Sequence, residues 1–410
     1  MAGSPMPSRA APRTAALAAA VASAALLLGP APAAAADPGP PPPTPYLLPL
    51  PAGAAPLSSV YGLNNAGDVL GETYLNVPGQ FAPRALRWNA HQPGVTVLRP
   101  LPGENGTRPS TLNEAGTAVG VSVGTLTDNH PVRWAPDGTP TALELPAGAR
   151  GGGASAVNNV GVVIGNSYDA AFRPVPVKWR ADGTRVDLPL LDGDETGWTT
   201  SVNDAGFVIG LSERSLGGES RSRAVLWSPS GEVTELRLPP GIITAAGTRI
   251  TATGLILGPG RRESGADADR VVAWEADGTV RDVAHGRPGS VNSANTIVGT
   301  TSDAAGAEHA ARWTLDGTTT LLDDPAGRPT RASAINGAGT AVGFARGPGP
   351  YRDSPLLWRP DGTALPLPPS PLGPYAQALL VNESGVIAGD ASWHDAPNSR
   401  DLPRAMVWKL

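Results

Sequence analysis

Beyond residue 36 the apolar positions come in short runs alternating with polar ones, and no stretch carries a helical period. In PVRWAPDGTPTALELP (131–146), Val132 and Trp134 alternate with Pro131 and Arg133, so the apolar pair shares one face of an extended strand. A turn and a second short strand follow. PVKWRADGTRVDLPL (176–190) and ARWTLDGTTTLL (311–322) repeat the design. Asp-Gly at 137–138, 182–183, 277–278, 316–317 and 361–362, with Ser230-Gly231, marks tight hairpins.

A second phrase precedes each of these. It reads ASAVNNVGVVIGNS at 154–167, TSVNDAGFVIGLS at 200–212 and ASAINGAGTAVGF at 332–344. An asparagine ends a short apolar stretch, a glycine follows three residues later, and an apolar run closes on a second glycine. The asparagines are Asn64, Asn113, Asn158, Asn203, Asn292, Asn336 and Asn382, with Thr251 in the fifth unit. Asparagine opening a type I turn bonds its own backbone, and glycine at the fourth place accepts positive φ. In unit six Asn295 stands at that place, the residue that best tolerates the left-handed conformation after glycine. The glycines of the phrase are therefore read as hairpin-turn residues rather than as a catalytic loop.

Trp88, Trp134, Trp179, Trp227, Trp274, Trp313, Trp358 and Trp408 count eight units, 39 to 50 residues apart. Four short strands per unit predict an all-β, eight-bladed β-propeller of four-stranded antiparallel blades. Glycine, proline and β-branched content excludes helical repeats. Most units end in a leucine-proline strand such as Leu143-Glu144-Leu145-Pro146, but unit eight stops at Trp408-Lys409-Leu410. Its missing strand is expected in residues 46–51, closing the ring from the N-terminus and removing two open sheet edges.

These phrases resemble the HAF-type extracellular repeat, I-N-x-x-G-x-V-V-G-x-S followed by H-A-x-x-W and a leucine-rich strand. The resemblance covers residues 46–410, although the H-A dipeptide survives only as His309-Ala310; His130-Pro131, Arg84-Ala85, Arg223-Ala224 and Arg404-Ala405 stand elsewhere. It implies a secreted bacterial protein and carries no general assignment of catalytic residues.

The first 36 residues agree with that address. Arg9 and Arg13 precede an apolar run from Ala15 to Leu28, and Ala34-Ala35-Ala36 offers a small-residue cleavage site, the layout of a secretory signal peptide. The run is shorter than the ~20 residues of a membrane span. Residues 37–45 (PGPPPPTP from Pro38) read as a stiff spacer, leaving 46–410 for the propeller. The whole chain carries a net charge of −5, and losing the leader removes two more cations. An acidic chain is a poor ligand for nucleic acid or anionic membrane. No cysteine is present, so stability outside the cell rests on packing.

Candidate chemistry is sparse. Gly120-Val121-Ser122-Val123-Gly124 matches the serine-hydrolase elbow, but no helix follows and Ser122 shares its repeat position with Ser167 and Ser212. The acidic loop Asp192–Gly197 suggests calcium yet lacks the spacing of a calcium loop, and a solvated inter-blade loop is the plainer reading. Five histidines include no metal-binding pair, so neither metal nor cofactor is expected. The D-G-T turns resemble sialidase Asp-boxes, but tryptophan precedes them here instead of following.

Strand alternation puts the stereotyped turns on one face and the variable b–c and d–a connections on the other. Tyr74, Glu195, Trp198, Arg214, Arg221, Tyr351, Arg352, Tyr375, Trp393 and His394 fall there and form the expected ligand-binding set. The expectation is a secreted, monomeric, non-catalytic scaffold binding an extracellular carbohydrate or protein. The alternative is a polysaccharide-active hydrolase or lyase with carboxylates near the axis.

Overall fold

The computed structural model describes residues 43–409, apart from 78–79, 125–128, 217–218, 266, 350–351 and 396–399. The expected leader lies outside the described residues, as does most of the spacer. Among the described residues the chain forms eight antiparallel sheets and no helix. Blade three is typical, running Gly152–Val157, Val163–Tyr168, Pro174–Trp179 and Arg185–Asp187 from the innermost strand outward. The fold is the eight-bladed propeller that the repeat predicts.

Apolar side chains gather at the seams between blades. Eight clusters occupy the eight seams; one joins Leu70, Ala85 and Leu98 of blade one to Leu112, Val132 and Trp134 of blade two. All eight repeat tryptophans are buried there. Their indoles reach back to the preceding blade: Trp134 Nε1 donates to Arg99 O at 2.7 Å, Trp179 to Glu144 O at 2.7 Å, Trp227 to Pro189 O at 2.7 Å. A buried N–H needs such a partner, and the leucine-proline strand supplies it where it is present; Trp313, which follows a unit without that strand, has no such partner among the described residues.

The ring closes from the N-terminus. Strand Thr44–Leu47 pairs antiparallel with Arg400–Lys409, Tyr46 opposite Val407. Leu48 N then donates to Ala405 O at 2.9 Å, and Trp88 Nε1 to Pro49 O at 2.7 Å. The pairing begins two residues earlier than the expected 46–51. Pro49 and Pro51 lie beyond the strand, while Pro45 lies within it opposite Trp408, tolerated on an outermost strand.

The two glycines of the repeat phrase do different work. The first makes the turn: Gly67 has φ 79° and Asn295, its substitute in blade six, φ 60°. The second lies mid-strand, where the innermost strand bulges toward it. A Cβ on Gly210 would stand 1.9 Å from Trp198 O, and on Gly165 2.1 Å from Gly153 O. That glycine is required by close backbone approach, which corrects the reading of both as turn residues.

The turn asparagines also do more than the sequence suggested. Asn158 Oδ1 accepts from Val162 N at 2.8 Å, the expected local bond, while its Nδ2 donates to Asn203 O in the next blade at 2.8 Å. The same inter-blade bond joins Asn64 to Asn113, Asn113 to Asn158, Asn203 to Thr251, Asn292 to Asn336, Asn336 to Asn382, and Asn382 back to Asn64. This circular ladder is broken only after Thr251, whose side chain has no amide.

Candidate functional site

Blade five is the irregular one. Its innermost strand is split into Thr244–Ala245 and Arg249–Ile250, followed by Ile256–Arg261, Asp269–Trp274 and Val280–His285. The seam before it opens into a cleft of about 730 Å³ between blades four and five. Two other seams carry a polar tie at one position. At the position after the second glycine, Asp390 of blade eight accepts Val60 N of blade one at 3.0 Å. Asn166 of blade three bridges Gly197 O at 2.8 Å and Thr199 N at 3.3 Å in blade four. Blade four has Leu211 there, and the strand it faces is split, whereas Val121 and Phe344 at the same position face unbroken strands.

Leu211, Leu236, Leu238, Ile243, Ala245 and Pro259 give the cleft an apolar floor. Leu238 and Ile243 remain 39% and 53% exposed, against the general rule for large aliphatic side chains. Charged groups line its rim: Arg221, Arg223, Glu235, Arg261 and Asp269. Arg223 is committed, to Asp194 at 2.7 Å and Glu235 at 3.3 Å, and these partners raise its pKa. Asp269 faces Arg287 at 3.5 Å. Among the described residues, Arg221 and Arg261 have no carboxylate within ion-pair distance. An apolar pocket of this size with two uncommitted guanidinium groups suits a small apolar molecule bearing an anionic end.

The expected binding residues divide into separate groups. On blade four, Arg221 lies opposite Arg214 across the strand pair and alone of the set lines the cleft. Trp198 there turns its ring edge to Tyr168 at 6.3 Å between centroids, and Glu195 N bonds Glu213 O at 2.9 Å. Around blades seven and eight, Arg352 lies over the Tyr375 ring at 6.0 Å. Trp393 and His394 are in strand Val386–Asp395, opposite Leu402 and Asp401. Tyr74 is on the second strand of blade one, and Tyr351 falls outside the described residues. The set does not converge on one site. The sequence passed over Leu211 and Ile243 and shows Arg261 beside Arg262 as a short basic patch, read most plainly as solvated; the further signal was the fifth unit, with Thr251 in place of asparagine.

The motif candidates have structural work. Ser122 is fully buried, and its Oγ accepts Leu101 N at 2.9 Å, clamping the connection into blade two. Ser212 does the same for Leu191 N at 3.1 Å and donates to Asp194 Oδ2 at 2.6 Å. Asp194, the innermost acid of the Asp192–Gly197 loop, is thus held by Ser212 and Arg223. His130 pairs with Glu104 and His309 with Asp323, both at a strand entrance.

No family model and no curated protein matches the sequence. Among solved structures, a prolyl endopeptidase superposes with a TM-score of 0.55 at 9% identity over 85% of this chain and 54% of the other. Dipeptidyl peptidase 4 of Porphyromonas gingivalis gives 0.51 at 8% over 86% and 59%. A puromycin hydrolase variant complexed with PGG gives 0.50 at 14% over 83% and 59%. The chain thus spans little more than half the length of these three. At such identity the likeness shows the propeller fold and nothing finer. It does correct the functional expectation: chains sharing this fold are named as hydrolases of peptides and of puromycin, so the fold gives no ground for a scaffold apart from catalysis. The polysaccharide-active alternative has no counterpart among them. Both readings are set aside: the eight blades come from the sheet topology, and the comparisons add a likeness of fold alone.

Proposed function

We propose that this chain is the peptide-handling propeller of a hydrolytic system, and that the cleft between blades four and five receives a short apolar peptide or peptide-like amide. One observation carries the reading: an apolar cleft of about 730 Å³ whose rim holds two guanidinium groups without a carboxylate partner. The apolar side chain of the ligand lies against Leu211, Leu238 and Ile243. Its terminal carboxylate lies between Arg221 and Arg261. The leader and the likeness to HAF-type repeats support action outside a bacterial cell.

The test is calorimetric titration of tri-leucine as the free acid and as the C-terminal amide, with mass spectrometry of the same mixtures for cleavage. A charge-assisted bond contributes ~1.5–3 kcal/mol, so the acid should bind roughly 10- to 100-fold more tightly. Arg261→Met should abolish that preference. Leu211→Asn, which places here the side chain by which Asn166 bridges blades three and four, should narrow the cleft and weaken both peptides without lowering the melting temperature. Absence of saturable binding and of cleavage with either peptide refutes the proposal.

A further inference from the structure

At the opposite end of blade five, on the turn face, a second cavity of about 290 Å³ opens beneath the break in the asparagine ladder. In a ladder-bearing seam two side chains tie neighbouring turns. Asn113 Nδ2 reaches Asn158 O at 3.0 Å, and one residue later Glu114 N donates to Asn159 Oδ1 at 3.0 Å. In the seam between blades five and six Thr251 stands in place of the ladder asparagine and Ser293 in place of Asn159, and neither bond forms among the described residues.

Arg249 lines this cavity. Strand register aligns it, opposite Leu257, with Gly62, Thr111, Ala156, Ser201, Ser290, Ala334 and Leu380 of the other blades. It is the charged member of that series, on the strand nearest the axis. Its Nε donates to Gly289 O at 3.3 Å, and no carboxylate among the described residues lies within ion-pair distance of it. The side chain is reached by solvent yet densely surrounded by protein, and this desolvation lowers its pKa. The remaining polar lining is neutral: Ser201, Thr251, Thr253, Asn292 and Ser293, with no Asp or Glu.

We propose that this cavity binds a small oxyanion, its oxygens held by the free guanidinium nitrogens of Arg249 and by the surrounding hydroxyl groups. Inorganic phosphate and the carboxylate of a small organic acid share that chemistry. The site is separate from the blade four–five cleft, at the other end of the blade, and stands whether or not that cleft binds peptide. The neutral donors suit an anion, which accepts from hydroxyls and guanidinium alike, whereas a cation would meet Arg249 unopposed.

The experiment titrates the full chain with sodium phosphate and, separately, with sodium acetate, at constant ionic strength, by calorimetry. Saturable binding of at least one anion is expected. Phosphate alone assigns a tetrahedral ligand and acetate alone an organic acid, and either supports the site. Arg249→Met should weaken binding at least tenfold, and Arg249→Lys less, because the point charge survives without the fork. Thr251→Asn restores the missing ladder amide and narrows the cavity; it should weaken binding severalfold while raising the melting temperature, which separates loss of the site from loss of the fold. Non-saturable binding of both anions, or wild-type affinity in Arg249→Met or Thr251→Asn, overturns the proposal.

Discussion

Removing the N-terminal strand tests the ring closure quantitatively. The perturbation is truncation through Pro51, compared with truncation through Pro42, which leaves Thr44–Leu47 in place. The longer truncation removes the four register pairs Thr44–Lys409, Pro45–Trp408, Tyr46–Val407 and Leu47–Met406. Alternate antiparallel pairs exchange both bonds, so roughly four backbone hydrogen bonds go, worth ~0.5–1.5 kcal/mol each. Leu48, 1% exposed, leaves the seam between blades eight and one, at ~1.5–3 kcal/mol for a fully buried aliphatic side chain. The Trp88 indole loses Pro49 O and becomes a buried orphan donor, at ~1–3 kcal/mol. The sum, about 5–12 kcal/mol, is comparable with the ~5–15 kcal/mol of an ordinary domain. The size dependence of unfolding entropy gives a shift of about 1–2 °C per kcal/mol for a chain of this length. The longer truncation should therefore melt at least about 5–10 °C lower by tryptophan fluorescence, or aggregate through its exposed edge, while the shorter one should match the full chain. Melting of both truncations within about 2 °C of each other would refute closure by this strand.

The second glycine of the phrase offers a sharp contrast. Gly210→Ala places a Cβ 1.9 Å from a backbone oxygen that cannot yield, so soluble folded protein should be lost. Gly183→Ala, at φ 89° with open space around it, should cost only ~1–2 kcal/mol in chemical denaturation. Comparable losses for the two would mean that the bulge can relax. A third test concerns Asp390, whose carboxyl is raised to about 7 by burial in the blade eight–one seam. The folded state then binds the proton more tightly than the unfolded chain, so stability should fall as pH rises from about 4 to about 7. Asp390→Asn can still accept from Val60 N, and its melting advantage over wild type should grow across that window; a constant gap would contradict the assignment.

The functional region was less legible in the sequence than the fold, for reasons visible in individual residues. Arg221 was singled out because it is an exposed charge on a variable connection, and it does line the cleft. Ile243 and Leu238 were passed over because each reads as an ordinary strand-end residue within its own unit. The cleft opens where the innermost strand of blade five is split, between Ala245 and Arg249. A split strand leaves no motif. Arg249 was likewise unremarkable until register aligned it with seven uncharged residues.

By itself the sequence determined the unit, the number of units and the way the ring closes. Each depends on local chemistry repeated eight times: alternation for strands, Asn-x-x-Gly and Asp-Gly for turns, one buried tryptophan per unit. Asn295 in place of glycine could be read correctly because positive φ is a property of one residue. The tertiary structure decided everything that belongs to two blades at once. It turned the turn asparagines into a circular ladder and opened blade five at both ends. Those features depend on distances between side chains about 45 residues apart, which alternation and spacing within one unit do not encode.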